Sequence, residues 1–184
     1  MATVESPLIS LEDYASMPEN GLRTELVRGR IVELTRPTYL HGLTCVEIAF
    51  AISSWVRQRQ LGRVVSNDSG IVTERDPDTL RGADVAYYSY DRIPKGSHPG
   101  KYPDVPPEIV IEVRSPSERW NDLRAKVSEY LAVGVSSVCV IDPDLRTAWL
   151  YFPDQPDRIV GPDGDLSFPG CLPEFSVPMR NLFE

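Results

Sequence analysis

The 184-residue sequence is poor in cysteine: Cys45, Cys139 and Cys171 are odd in number, far apart, and include no Cys-x-x-Cys pair. That count argues against a disulfide framework and against a structural zinc held by thiolates, and it fits a reducing, cytoplasmic setting. Cys139 lies in the apolar run Val138–Ile141 and reads as a small core residue. No apolar run approaches the length of a membrane span, so no membrane association is expected. The start, Met1 to Pro7, lacks the basic residues and the apolar stretch of a signal peptide. Internal repeats and low-complexity tracts are missing as well. Positive charge is scarce: 19 Lys and Arg face 27 Asp and Glu, a net charge of −8, which counts against avid binding to a polyanion. The deficit is uneven. Arg92 to Lys126 holds seven basic against five acidic residues, whereas Asp142 to Glu184 holds three against eight. The middle of the chain is the least hostile place for a phosphate backbone.

What is present suits one globular domain over residues 1–184, with a helix and hairpin extension at 1–40 and a proline-rich segment at 153–184. Ile9 to Tyr14 is amphipathic, and Ser10 ahead of Glu12 and Asp13 has the form of a helix start. Two short β-type runs between Arg23 and Thr35 are separated by Arg28-Gly29, which predicts a hairpin. Glu25 shares a face with Val27 there, and its bland reading is a cross-strand partner for an arginine. Residues 41–60 repeat apolar side chains at helical spacing (Ile48, Ile52, Val56 among them), and Gly62 is the expected stop. His41 near the start of this helix reads as a cap, a packing residue or a contact to substrate. Arg63–Asn67, Gly70–Glu74 and Arg81–Tyr88 follow as strand-like pieces. The stretch from Ser89 to Pro107 carries five prolines and the cations Lys95 and Lys101, and reads as a functional loop able to touch substrate.

The β-branched run Ile109–Val113 has the composition of a buried strand, ended by Pro116. Alternation puts Glu112 and Arg114 on the side of Val110, and Ile109, Ile111 and Val113 on the other. Glu118–Val133 then reads as a helix stopped by Gly134. On it Lys126 lies about 40° from Tyr130 and about 60° from Leu123 around the axis, at the edge of the core-facing stripe. A snorkelling lysine, or ion pairs to Asp122 and Glu129, would also explain that position. Ser137–Ile141 and Arg146–Phe152 complete the core strands, and one further strand-like piece precedes the tail Phe175–Glu184.

Three charged residues thus sit in apolar settings: Asp84, between Ala83 and Val85, with Glu112 and Lys126. Buried carboxylates are costly unless a cation or hydrogen bonds meet them. Two that converge from neighbouring strands make a hard-oxygen site suited to Mg²⁺ or Mn²⁺, and a nearby lysine could orient or deprotonate water or stabilise a charged phosphoryl group.

At these residues the chain resembles the PD-(D/E)xK nuclease superfamily, and more closely the bacterial Uma-two family of restriction endonucleases. The resemblance rests on Glu25-Leu-Val-Arg-Gly29, His41-Gly42, Ala83-Asp84-Val85-Ala86, Pro107 to Ser117, Lys126 with Glu129-Tyr130, Gly134-Val135, Ile141-Asp142-Pro143 and Leu172-Pro173. It implies an α/β fold of the α+β kind, a central mixed sheet of four or more strands flanked by helices, with a metal site on the open edge of the sheet. It casts Asp84 and Glu112 as metal ligands, Glu25 as a further acid, and Lys126 as the lysine that elsewhere follows the acidic strand residue by two. That place holds Arg114, which stays charged and can bind phosphate or brace carboxylates but cannot act as a base. The implied activity is that of a Mg²⁺-dependent DNA endonuclease, a homodimer because two strands are cut. The alternatives are a catalytically degenerate relative that binds nucleic acid or protein, and a fold in which Glu112–Arg114 and Lys126–Glu129 are structural ion pairs.

Overall fold

A computed structural model of the chain describes residues 7–18 and 20–184. The first helix, α1 (Leu11–Ser16), begins where Ser10 accepts a hydrogen bond from the Asp13 amide at 3.1 Å. Strands β1 (Thr24–Val27) and β2 (Arg30–Glu33) form the expected hairpin. Its two turn residues, Arg28 and Gly29, have φ of 49° and 71°, the left-handed pair that matches strand twist. Glycine is required at the second: a Cβ there would stand 2.7 Å from Leu8 Cβ.

Helix α2 (Tyr39–Arg59) is capped by Thr38 and ends on Gln60, which adopts the left-handed cap conformation at φ 57°. Gly62, the expected stop, instead opens β3 (Gly62–Glu74), where a Cβ would meet Tyr88 O at 2.1 Å. The two strand-like pieces of the sequence are one strand, bulged where Asn67 and Asp68 take φ of 67° and 55°. Then follow β4 (Thr79–Ser89), β5 (Ile109–Val113), α3 (Trp120–Ala132), β6 (Ser137–Asp142) and β7 (Thr147–Tyr151). Because α3 starts two residues later than its apolar pattern suggests, Glu118 is left in the loop that enters it.

The central sheet has eight strands in the order β2-β1-β4-β5-β6-β7-β8, where β8 is Arg158–Val160 and β3 pairs with β4. Among the described residues only β5 and β6 pair in parallel, which takes a crossover connection, here through α3. Strand β4 organises the rest. One of its edges is paired along its length by β3, and the other is divided: Leu80 meets Leu26 of β1, while Val85–Tyr87 meet Ile109–Ile111 of β5. Between those two partners the sheet opens, beside residues 81–84.

Helices cover both faces. Ile48, Ile52 and Val56 of α2 pack with Ile109, Ile111 and Leu150 on one side; Leu123, Val127 and Tyr130 of α3 pack with Val110, Val138 and Val140 on the other. The alternation read from Ile109–Val113 is therefore the alternation between two cores. By length and composition alone α2, at 21 residues, is able to cross a membrane, which corrects the expectation that no apolar run approaches that length. Its row of His41, Thr44, Ile48, Ile52 and Val56 is buried within the fold.

The C-terminal region is richer than its prolines suggest. In place of one strand-like piece, β8 extends the main sheet, and β9 (Asp165–Phe168) and β10 (Leu172–Pro178) pair as a second sheet followed by a short 3₁₀ turn, Met179–Leu182. Leu166, Phe168, Leu172 and Phe175 close the core on the α2 side, with Phe175 edge-on to Trp55 at 5.9 Å.

Candidate active site

The gap in the sheet gathers the charged residues. Glu112 leaves the middle of β5 toward α3 and is only 4% exposed. Lys126 and Tyr130, one helical turn apart on α3, both face it. The Tyr130 hydroxyl donates to Glu112 Oε1 at 2.8 Å, and Lys126 Nζ lies 3.8 Å from Oε2. The same ammonium lies 3.2 Å from Glu25 Oε1 and 3.8 Å from Glu118 Oε1. One lysine thus stands among three carboxylates. The bland partners, Asp122 and Glu129, do not appear among its ion pairs, and Glu129 is engaged elsewhere.

Asp84 enters from β4. Its Oδ2 accepts the Val113 amide at 2.7 Å, and His41 Nε2 of α2 lies 3.3 Å from the same oxygen. On the other side of the ring, Nδ1 lies 3.5 Å from Cys45 Sγ. Donor atoms of His41, Cys45 and Asp84 fall within 4.8 Å of one another. The thiol and the carboxylate meet opposite nitrogens of the imidazole, so the arrangement is a chain of contacts. A cavity of about 550 Å³ joins these groups, bounded by Asp84, Glu112, Lys126, Glu25, Glu118 and His41.

Glu25 has the arginine partner expected of it and also faces the other carboxylates. It lines the cavity, and its Oε2 accepts from Arg81 Nη1 at 2.8 Å while Oε1 takes the Gly82 amide at 3.1 Å. Arg81 forks its remaining nitrogens onto Glu129, with both contacts at 2.7 Å. Lys126 and Arg81 thus share four carboxylates, Glu25, Glu112, Glu118 and Glu129, of which all but Glu129 line the cavity together with Asp84.

The excess of carboxylate shifts the proton affinities of the groups in the site. Burial, with the charges of Asp84 and Glu25 added, pushes the Glu112 carboxyl up to about 8 against the opposing pull of Lys126 and the Tyr130 hydrogen bond. Glu118 is raised for the same reasons, burial first. Burial works against the Lys126 ammonium, but Glu112, Glu25 and Glu118 outweigh it and hold the lysine above its usual range. A buried pocket short of positive charge, with oxygen donors on two adjacent strands, has the donor chemistry of a hard divalent cation.

Not every expected residue comes to this place. Arg114 is bound to Asp142 Oδ2 at 2.8 Å and lies 5.3 Å over the Trp120 ring. It does not line the cavity, and the Glu112–Arg114 pair is not made, because the chain turns away at the end of β5 toward the loop before α3. Lys95 bonds Gln60 at the surface, and Lys101 bonds the Ala15 carbonyl. Neither lines the cavity, although Lys101 borders a neighbouring depression that also touches Arg23, Asp68 and Gly82. Sequence reasoning passed over Glu118, Tyr130 and Arg81. Tyr130 carried a signal, its four-residue spacing from Lys126; Glu118 and Arg81 carried none.

A protein of Anabaena variabilis ATCC 29413, described as a putative nuclease belonging to DUF820, is similar in structure. It has a TM-score of 0.83, 22% identity, and coverage of 95% of this chain and 97% of its own. No curated protein matches the chain in sequence. The Uma2 family, described as "Putative restriction endonuclease", matches residues 11–180, which takes in every residue around the cavity. The chain belongs to the Uma2 family.

Proposed function

We propose that this protein is a divalent-metal-dependent DNA endonuclease that hydrolyses phosphodiester bonds. The observation that carries the reading is the convergence of Asp84, Glu112 and Lys126 on one buried cavity with excess carboxylate. Asp84 and Glu112 would hold Mg²⁺ or Mn²⁺. When bound, the ion supplies Lewis acidity at a phosphate oxygen and lowers the pKa of a coordinated water. Tyr130 fixes the orientation of Glu112 through the bond to Oε1, leaving Oε2 toward the cavity. Lys126, kept charged by its three carboxylates, is fitted to donate to the attacking water or to a phosphoryl oxygen that gains charge, not to accept a proton. Glu25, itself anchored by Arg81, holds the lysine in place.

Substrate would approach past the segment 32–35, which rims the cavity. Arg30 and Arg36 flank that segment and are exposed, which offers phosphate contacts in a chain of otherwise unfavourable net charge. A homodimer belongs to the proposal, since cleavage of two strands takes two sites. Tyr39, Val46 and Phe50 on the outer side of α2 are 86, 62 and 69% exposed and offer an apolar surface for it.

The test is calorimetric titration with Mn²⁺ of wild type and of Asp84→Asn/Glu112→Gln, followed by plasmid nicking. Binding and nicking by the wild type, and neither by the double variant, are expected. A wild type that binds no Mn²⁺ even with a short DNA duplex present would leave the fold as a binding module only.

A further inference from the structure

A cleft of about 380 Å³ opens between the main sheet and the small sheet of β9 and β10, and it shares no residue with the cavity around Lys126. Strand pairing decides which side chains enter it. Cys139 and Leu150 lie opposite each other on β6 and β7, and both belong to the core on the α2 side. Ser137 is two residues from Cys139, and Arg158 lies opposite Leu150 on β8. Both side chains therefore leave the main sheet on that same face, toward β9 and β10. We propose that the cleft is a binding site for a small organic carboxylate with an apolar body.

Two polar groups there lack partners. Ser137 is 1% exposed, and its Oγ is buried without a hydrogen bond. The Arg158 guanidinium donates through Nη2 to Ser167 O at 2.5 Å, which ties the two sheets together, but its Nε is buried and unbonded. Buried polar atoms are nearly always paired, yet two of the five exceptions among the described residues border this one cleft. The charge is not met either. Among the described residues Arg158 makes no ion pair, and Asp154, the one carboxylate that lines the cleft, stands on the exposed segment between β7 and β8. A half-buried cation beside a hydroxyl with its donor to spare suits a group that only accepts, and a carboxylate accepts on both oxygens.

The rest of the wall sets the body of the ligand. Leu131, Val135, Phe152, Pro153, Phe168 and Pro169 are apolar, and the volume is that of a small-molecule site. With one guanidinium, Asp154 at the rim and the C-terminal end of α3 close by at Gly134, the cleft favours a monoanion over a phosphate dianion.

Phenylacetate is the probe, with phenylacetamide as its neutral isostere and acetate as its head without the ring. Titrations of the full chain followed by ¹H–¹⁵N NMR should give phenylacetate a Kd of about 1 mM or lower, with shifts at Leu131, Ser136 and Gly170. The other two should bind about 10-fold more weakly or worse. Arg158→Met should lose the preference for phenylacetate over phenylacetamide, whereas an arginine that only ties the sheets would change Tm and leave that preference in place. Ser137→Ala removes a hydroxyl that bonds nothing in the fold, so its Tm should not fall, while phenylacetate binding weakens about 3- to 10-fold. That variant decides the matter if Arg158→Met does not fold.

Equal binding of phenylacetate and phenylacetamide overturns the proposal, as does equal binding of phenylacetate and acetate. So does a wild type that binds no phenylacetate, shifts confined to other surfaces, or an unchanged affinity in Ser137→Ala. None of these outcomes bears on Mn²⁺ binding at Asp84 and Glu112, so this proposal and the proposed function stand or fall separately.

Discussion

Glu112 is the residue whose removal should make the metal-free protein more stable, and the sign can be worked from its surroundings. Its carboxyl is buried, and burial with the neighbouring Asp84 and Glu25 charges raises its pKa from an ordinary 4.5 to about 8. A carboxyl raised on folding holds its proton more tightly in the folded chain. Stability is therefore complete below about pH 4.5, falls as the pH rises because the unfolded chain alone releases the proton, and is fully diminished above about pH 8. At 1.36 kcal/mol per pH unit, the ceiling on this loss is about 5 kcal/mol. Glutamine keeps the acceptor for Tyr130 and cannot ionise, but its amide N–H₂ lacks an assured partner, a cost of about 1–3 kcal/mol. A net gain of about 2 kcal/mol at pH 9 remains, which for a chain of this length raises Tm by roughly 4–8 °C. Thermal unfolding followed by circular dichroism at pH 5, 7 and 9 in EDTA reads it directly. Glu112→Gln should be no more stable than wild type, or slightly less stable, at pH 5 and should gain most at pH 9. Adding Mn²⁺ should then stabilise the wild type and leave the variant unmoved. A variant no more stable than wild type at pH 9 in EDTA would show that Glu112 is already well matched by Lys126 without a metal, and would remove the charge argument for the site.

Other expectations follow from the same geometry. Lys126→Met should lower cleavage by about 10²- to 10³-fold while Mn²⁺ binding is retained or tightened, because the lysine competes with the ion for the same carboxylates; a parallel loss of metal binding would make its role structural. Arg81→Met leaves Glu25 and Glu129 without their shared cation in a buried place, so urea unfolding should show a loss of about 3–5 kcal/mol. Phe50→Asp places a charge on the exposed apolar row of α2 and should shift sedimentation from dimer to monomer at micromolar concentration, with the fold unchanged. If both proteins sediment alike, another surface holds the dimer or none does.

Local patterns carried much of the fold. The hairpin at Arg28-Gly29, the helix over residues 39–59 and the alternation of Ile109–Val113 are short-range features, set by turn conformation, apolar periodicity and strand pleat. Elements whose cause is long-range depart from the local pattern. The sequence around Asn67-Asp68 looks like a break, but pairing with β4 carries the strand through as a bulge. The segment from Pro153 onward offers only one strand-like piece because proline masks strand pattern, and only the shared core shows that Leu166, Phe168, Leu172 and Phe175 close it.

The site divides the same way. That Asp84, Glu112 and Lys126 needed an account was legible from the sequence, because a charge flanked by apolar strand or stripe residues is conspicuous in one dimension. Which charges meet was decided in three. Arg114 is two residues from Glu112 and yet is bound to Asp142, since the chain turns at the end of β5. Glu25 and Arg81 lie far from Lys126 in sequence and close to it only because β4 divides its edge between β1 and β5. That carboxylates are buried and need a partner is written in the local pattern, because burial follows from it. That they face one cavity around one lysine comes from the fold, because contact between residues distant in sequence depends on strand order, which no local pattern encodes.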